Sequence, residues 1–167
     1  MSLTTRRTTH RLAIDAPADL IFSTLRDSSH WPYLDGLTVY SERVSGDDFN
    51  HELRTSVAAS GALHSSHCHR VFDAAGRRAD FRQLGLEPPL LQLGGGWEIH
   101  GTDAGSLVTL NHEFAVQPDS EALSELINAN IDEYSRRELE ALRHSCERGA
   151  RLLQQHSQVA AATARKA

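Results

Sequence analysis

The sequence predicts an α+β domain in which a curved antiparallel sheet of about seven strands wraps around a long C-terminal helix, with one or two short helices after the first strand. Three observations predict it. Between Leu37 and Val116 short extended spans alternate with turn signals at near-regular intervals. From about Asp119 to Gln154 apolar residues recur by threes and fours, the spacing of one helix face. The 167 residues, 40% hydrophobic and 23% charged, contain no internal repeat and no linker, as expected of one ordinary domain with its own core. That domain is expected over residues 1–156, with a disordered tail over 157–167, where Ala160-Ala161-Ala162-Thr163 and the residues after them offer nothing to bury.

Residues 4–15 alternate in polarity and read as an opening strand. Ala16-Pro17-Ala18-Asp19 then starts a short helix through about Arg26. Pro17 sits near its first turn and Leu20, Ile21 and Leu25 on one side. Trp31-Pro32 is expected to break any continuation. Ser45-Gly46-Asp47-Asp48, Ala59-Ser60-Gly61, Ala74-Ala75-Gly76 and Thr102-Asp103-Ala104-Gly105 separate the next strands as hairpin turns, which favours an antiparallel meander. Pro88-Pro89 marks an irregular entry into a strand from Leu90 to His100. Pro118-Asp119-Ser120 opens the final helix, whose stripe includes Leu123, Ile127, Ile131, Tyr134, Leu142, Cys146 and Ala150. A sheet with one apolar face must cover it, and only this helix is long enough. A long sheet bent around one helix encloses a hollow, the usual place for a small ligand.

Three polar side chains interrupt faces that are otherwise apolar. His112 shares a strand face with Val108, Leu110, Phe114 and Val116. Glu138 lies four residues after Tyr134 and four before Leu142 on the helix stripe. Arg70 lies in a strand whose two sides, Ala62 to Phe72 and Leu63 to Val71, are equally mixed, so pattern leaves its direction open. A cation, an imidazole and a carboxyl in one interior would suit acid–base chemistry, because each is costly to bury without a partner. The plainer alternatives are a hydrogen-bonded core histidine, an edge glutamate reaching water, and a tyrosine packed with its hydroxyl satisfied. In Leu90–His100, Leu91, Leu93, Gly95, Trp97 and Ile99 share a face. Gly94-Gly95-Gly96 beside Trp97 either leaves room for a planar ligand or marks a bulge.

Other classes are disfavoured. A net charge of −5, with arginines only in pairs, does not suit a nucleic-acid partner. No apolar run is long enough to cross a bilayer, so no membrane role is expected. The N-terminus lacks an apolar signal core, which points to a cytoplasmic protein, and Cys68 and Cys146 are expected as free thiols. His64, His67 and His69 suggest a metal, but alternation puts His64 opposite the other two, and no metal is expected. No nucleophile elbow, phosphate-binding loop or dinucleotide fingerprint occurs, and no cofactor is expected.

His10-Arg11-Leu12-Ala13-Ile14-Asp15-Ala16-Pro17, followed by Asp27 and Trp31-Pro32, resembles the start of proteins of the START/Bet v 1-like helix-grip superfamily. Arg82-Gln83-Leu84 before Pro88, Trp97-Glu98, His112-Glu113-Phe114 and Asn128 to Tyr134-Ser135-Arg136 resemble the bacterial aromatic polyketide aromatase/cyclases. The likeness spans roughly residues 5–150. It implies the helix-grip fold and an interior pocket receiving a poly-β-ketone tethered to an acyl carrier protein. The implied activity is first-ring aldol closure followed by dehydration to the aromatic product, without a cofactor. By the same resemblance Arg70, His112 and Glu138 would be catalytic, with Trp31, Ser66, Cys68, Leu93, Trp97, Phe114 and Tyr134 binding substrate. His112 would act as base and then acid, and Glu138 would orient it or assist loss of water. The chain departs from the family's pattern at Thr38 and Ser66, where aromatics are common, at Tyr134, where asparagine is, and at Glu138, where some members have aspartate. A monomer or a homodimer is expected. The alternative function is a non-catalytic carrier of a hydrophobic small molecule, a lipid or quinone, in the same pocket.

Overall fold

The computed structural model describes residues 4–59 and 61–165, so Ser60 and the extreme ends of the expected domain and tail lie outside the described residues. Seven strands form one antiparallel sheet: β1 (Arg6–Ile14), β2 (Thr38–Gly46), β3 (Asn50–Ala59), β4 (Ala62–Asp73), β5 (Arg78–Gln83), β6 (Leu90–Thr102) and β7 (Gly105–Val116). Their order across the sheet is β1-β7-β6-β5-β4-β3-β2. Every neighbouring pair from β2 onward is a sequence-adjacent hairpin, the meander expected from the turn spacing. The one long-range pairing is β1 with β7, in unbroken register from Arg6↔Phe114 to Ile14↔Ser106.

Consecutive strands β1 and β2 therefore lie on opposite edges. Six strand spacings, about 29 Å if flat, separate them. The chain crosses that span with two helices: α1 (Ala18–Arg26), a 3₁₀ turn at Ser28–His30, and α2 (Trp31–Leu34). α1 buries Ala18, Ile21, Phe22 and Leu25, with Asp19 in its first turn and Arg26 in its last, charges that suit the helix dipole. Trp31-Pro32 does not simply end a helix as expected from the sequence. Proline falls in the first turn of α2, where its missing N–H costs nothing.

A 3₁₀ turn, Pro118–Leu123, leads into α3 (Ser124–Ala164), so the long helix begins five residues later than its periodicity suggests. Its buried face is Ser124, Ser135, Leu139, Ala141, Leu142, Ser145, Cys146 and Ala150. Five of these eight are serine or alanine, small enough for the helix axis to approach the sheet. The helix does not stop near residue 156 but continues to Ala164. Residues 151–165 are all exposed, so local backbone bonding alone sustains that last stretch. The main core joins Ile14, Ile21, Phe22 and Leu25 to Trp97, Ile99, Val108 and Leu110, capped by Leu139, Leu142 and Cys146 of α3. The two cysteines are free. Among the described residues no helix is long and apolar enough to cross a membrane.

Candidate active site

Between the concave face of the sheet and α3 lies a cavity of about 470 Å³. It falls within the size range of small-molecule sites. Apolar side chains of β3, β5, β6 and α3 supply most of its wall, and polar groups enter at separate points.

Arg70 faces inward. The antiparallel pairing His51↔Arg70↔Phe81 places all three on the concave side, a direction the mixed strand pattern left open. The guanidinium is only 5% exposed. Its Nη2 donates to the carbonyl of Leu25, near the end of α1. It lies over the rings of Trp31 (5.0 Å) and Phe72 (4.6 Å), contacts that partly replace lost hydration. Nη1 has no protein partner. Burial lowers its pKa to about 10, with Cys68 and Glu138 opposing, so the group stays cationic at neutral pH.

Glu138 lines the cavity from α3, one helical turn after Tyr134, which lines it too. Burial raises its pKa to about 8. The Tyr134 hydroxyl and the Arg70 charge pull it down and Asp35 pushes it up. At pH 7 it is therefore mostly a neutral carboxylic acid, able to donate a proton. Tyr134 is held well above the ordinary phenol value, first by burial and then by the Glu138 charge.

His112 is 6% exposed and lines the same cavity. Its ring meets the Phe81 ring edge-on, centroids 5.2 Å apart. Burial lowers its pKa to about 4, and the charge of His10 adds to this. The imidazole is neutral across the physiological range, not poised to titrate within it as a free histidine would be. The side chain that holds it is Ser135, whose Oγ is 3.1 Å from Nδ1. The expected orienting contact from Glu138 to His112 is absent among the described hydrogen bonds, and Ser135 takes that place.

Of the expected substrate-binding residues, Trp31, Ser66, Cys68, Leu93, Trp97 and Tyr134 line the cavity. Trp31 is fixed by its indole N–H donating to the Thr24 carbonyl at 2.8 Å. Ser66 exchanges a hydrogen bond of 2.9 Å with Thr55 across the β3–β4 pair. Burial raises the pKa of the Cys68 thiol, which disfavours a thiolate. Phe114 does not reach the cavity. It shares the strand face of His112 but is fully enclosed, at 0% exposure. Leu91 also departs from expectation. A bulge between Leu90 and Gln92 breaks the alternation and leaves Leu91 45% exposed.

The three glycines have a cause beyond either expected one. β6 keeps unbroken register with β7 from Gln92 to Thr102, so no bulge occurs there. A Cβ on Gly95 would lie 1.9 Å from the Asn111 carbonyl oxygen, and one on Gly94 2.8 Å from that of Phe81. Neighbouring backbone comes too close for any side chain, as sharp bending of the sheet requires. Gly94, Gly95, Gly96 and Trp97 also border a second cavity, of about 620 Å³, so there is room beside the ring as well.

Sequence reasoning missed several groups. Ser135 lies at 0% exposure, four residues from Ile131 and from Leu139, so its interruption of the stripe was as visible as that of Glu138. Behind His112, His10 of β1 pairs with Asp132 of α3 at 3.0 Å. Asp35 accepts from the backbone N–H groups of Leu37 and Thr38, both at 2.8 Å, and from the Thr38 hydroxyl at 2.5 Å, fixing the α2–β2 corner of the cavity. His67 and His69 face outward, onto Glu52 and Asn50, while His64 bonds the Ala59 carbonyl. No group of three potential metal ligands converges among the described residues.

No family model matches the chain. It is 28% identical over 149 residues to the granaticin polyketide synthase bifunctional cyclase/dehydratase of Streptomyces violaceoruber, covering 89% of this chain and 46% of that protein. It is 31% identical over 136 residues to the actinorhodin polyketide synthase bifunctional cyclase/dehydratase of Streptomyces coelicolor, covering 81% and 42%. The chain thus spans about half the length of the curated relatives it matches. Its fold is that of the Zhui aromatase/cyclase crystal structure from Streptomyces sp. R1128, with a TM-score of 0.77, 24% identity, and coverage of 87% of this chain and 95% of that one.

Proposed function

We infer from a chain that is a helix-grip relative of the bacterial aromatic polyketide aromatase/cyclases, and from the chemistry of its cavity, that it closes and aromatises the first ring of a carrier-tethered poly-β-ketone. The observation that carries this reading is the opposed ionisation of two groups on one cavity. His112 is neutral and Glu138 protonated at the same pH, beside a buried cation. At neutral pH one group therefore offers a lone pair and the other a proton, the complementary states that acid–base chemistry needs.

His112 removes a proton from a methylene between two carbonyls. The resulting enolate attacks a distal carbonyl carbon, forming the new C–C bond, and the developing alkoxide takes the Glu138 proton. Arg70 stabilises the enolate and alkoxide oxygens through the nitrogen left without a protein partner. Dehydration then runs the pair in reverse. The Glu138 carboxylate takes the second methylene proton, the imidazolium protonates the departing hydroxyl, and water leaves with both groups restored. Trp31, Trp97, Leu93 and Tyr134 hold the chain so that one methylene meets one carbonyl, since rival closures differ mainly in geometry. The acyl carrier protein delivers the chain.

Reconstitution with a ketosynthase system that makes the polyketone on its carrier protein tests the reading. Addition of this protein shifts the products from spontaneously closed pyrones to one aromatic ring pattern, and His112→Ala abolishes the shift. An unchanged product distribution with the native protein overturns the enzyme reading. Tight binding of an aromatic or quinone ligand without turnover would instead establish a carrier.

A further inference from the structure

Ser135 donates its hydroxyl hydrogen to the Ile131 carbonyl, 2.7 Å away and one helical turn earlier. A serine hydroxyl has one hydrogen to give, and a carbonyl can only accept. The Oγ therefore meets His112 Nδ1, at 3.1 Å, with a lone pair, and the hydrogen in that contact must belong to the imidazole. Neutral imidazole carries a single N–H. With that N–H on Nδ1, Nε2 is left with the free lone pair, on a ring that lines the cavity.

We propose that Ser135 is a positioning residue that fixes the tautomer of His112, making Nε2 the atom that accepts the substrate's proton. The proposal rests on His112 being the proton acceptor, and it deepens that reading by naming the atom and what selects it. The arrangement is rigid on both sides. Ser135 is fully buried on the inner face of α3, and His112 is held in β7 between Gly95 of β6 and Thr8 of β1. The Phe81 ring supports the imidazole edge-on and offers no competing acceptor for an N–H. A second polar contact, His10 of β1 with Asp132 of α3, lies about one turn earlier on the helix and ties α3 to the strand paired with β7. Loss of the serine hydroxyl alone therefore leaves the helix docked but frees the imidazole to place its hydrogen on Nε2, where it can no longer act as a base.

Nitrogen-15 NMR of the histidine rings tests this directly, because protonated and unprotonated imidazole nitrogens differ widely in shift. In the native protein at pH 7 the His112 resonances report a hydrogen on Nδ1 and none on Nε2. In Ser135→Ala the hydrogen redistributes toward Nε2. Turnover falls by up to about 10⁴-fold, the loss that a wrong histidine tautomer causes in a Ser-His-Asp triad, with KM little changed. Ser135→Thr, which keeps the hydroxyl, restores both signals. A native His112 protonated on Nε2 would overturn the proposal without any variant. So would a Ser135→Ala protein that loses turnover while keeping Nδ1–H, since the serine would then act only through packing. If the native protein shows the expected tautomer but turns over no polyketone, the cyclase reading fails and the structural selection of the tautomer stands.

Discussion

At the residue scale the cavity sets two pKa values against folding, and the consequences have opposite signs. The Glu138 carboxyl ionises ordinarily near 4.5 and near 8 in the folded protein. Its burial is harmless below pH 4.5 and increasingly unfavourable as pH rises toward 8, where the effect reaches ~3–5 kcal/mol. Glu138→Gln, which keeps an acceptor for Tyr134, is expected to raise the melting temperature at pH 9 by about 5 °C while cutting turnover ~10²–10⁴-fold. Calorimetry and a product assay on the same preparation check the pair. His112 works the other way. It titrates at 6.5 when free and about 4 when folded, so stability declines as pH falls from 6.5 toward 4, by up to ~3 kcal/mol. The same two groups frame the rate. Turnover should be flat between about pH 4 and 8, falling on the acid side as His112 protonates and on the alkaline side as Glu138 ionises. A single rise near pH 6.5, typical of an unperturbed histidine, would contradict it. The interruptions of apolar faces at His112 and Glu138 were legible in the sequence because strand and helix periods assign directions. Arg70 was not, because both faces of its strand carry polar and apolar residues, and its direction is fixed by pairing with neighbours far along the chain.

At the scale of elements, the sequence revealed strand order more readily than strand shape. Turn residues announced each hairpin, and helical spacing announced α1 and α3. Curvature was hidden, since it arises where Gly94 and Gly95 let adjacent backbones close in. Gly95→Ala is expected to destabilise the domain by at least ~2 kcal/mol through forced displacement of β7. Gly101→Ala, whose new Cβ would lie 3.7 Å from Ala18, should fall within ~0.5 kcal/mol of the native protein. Chemical denaturation of the two variants compares them, and equal losses would reject the close-approach account. Phe114 shows the limit of alternation as a guide. Parity places it on the concave side, but tertiary packing decides whether that side is hollow or filled at a given position. The exposed end of α3 makes the opposite point. Removing residues 155–167 should leave the melting temperature and turnover unchanged, because 151–165 are all solvent-exposed.

At the scale of the whole molecule, one sheet, one helix and the α1–α2 crossing border a chamber whose polar groups come from segments far apart in the chain. The resemblance carried by short motifs pointed to an interior pocket, and the relatives match across most of this chain but under half of their own length. A bound aromatic product should stabilise the folded state by ~2.7 kcal/mol at a hundred times its Kd, and perturb the fluorescence of Trp31 and Trp97, both on the wall. Titration at several ligand concentrations measures both effects, and a melting temperature indifferent to ligand would argue against an accessible chamber.

The guanidinium of Arg70 is clamped by one nitrogen to the last turn of α1 while another waits unpaired. An oxygen that captures the idle nitrogen is held by the same side chain that grips the Leu25 carbonyl, so cargo in the interior is linked through one cation to the end of the first helix. Amide exchange at Thr24 through Asp27 should slow when the chamber fills. Replacing Arg70 would then do two things at once, discharging the wall and loosening a hinge.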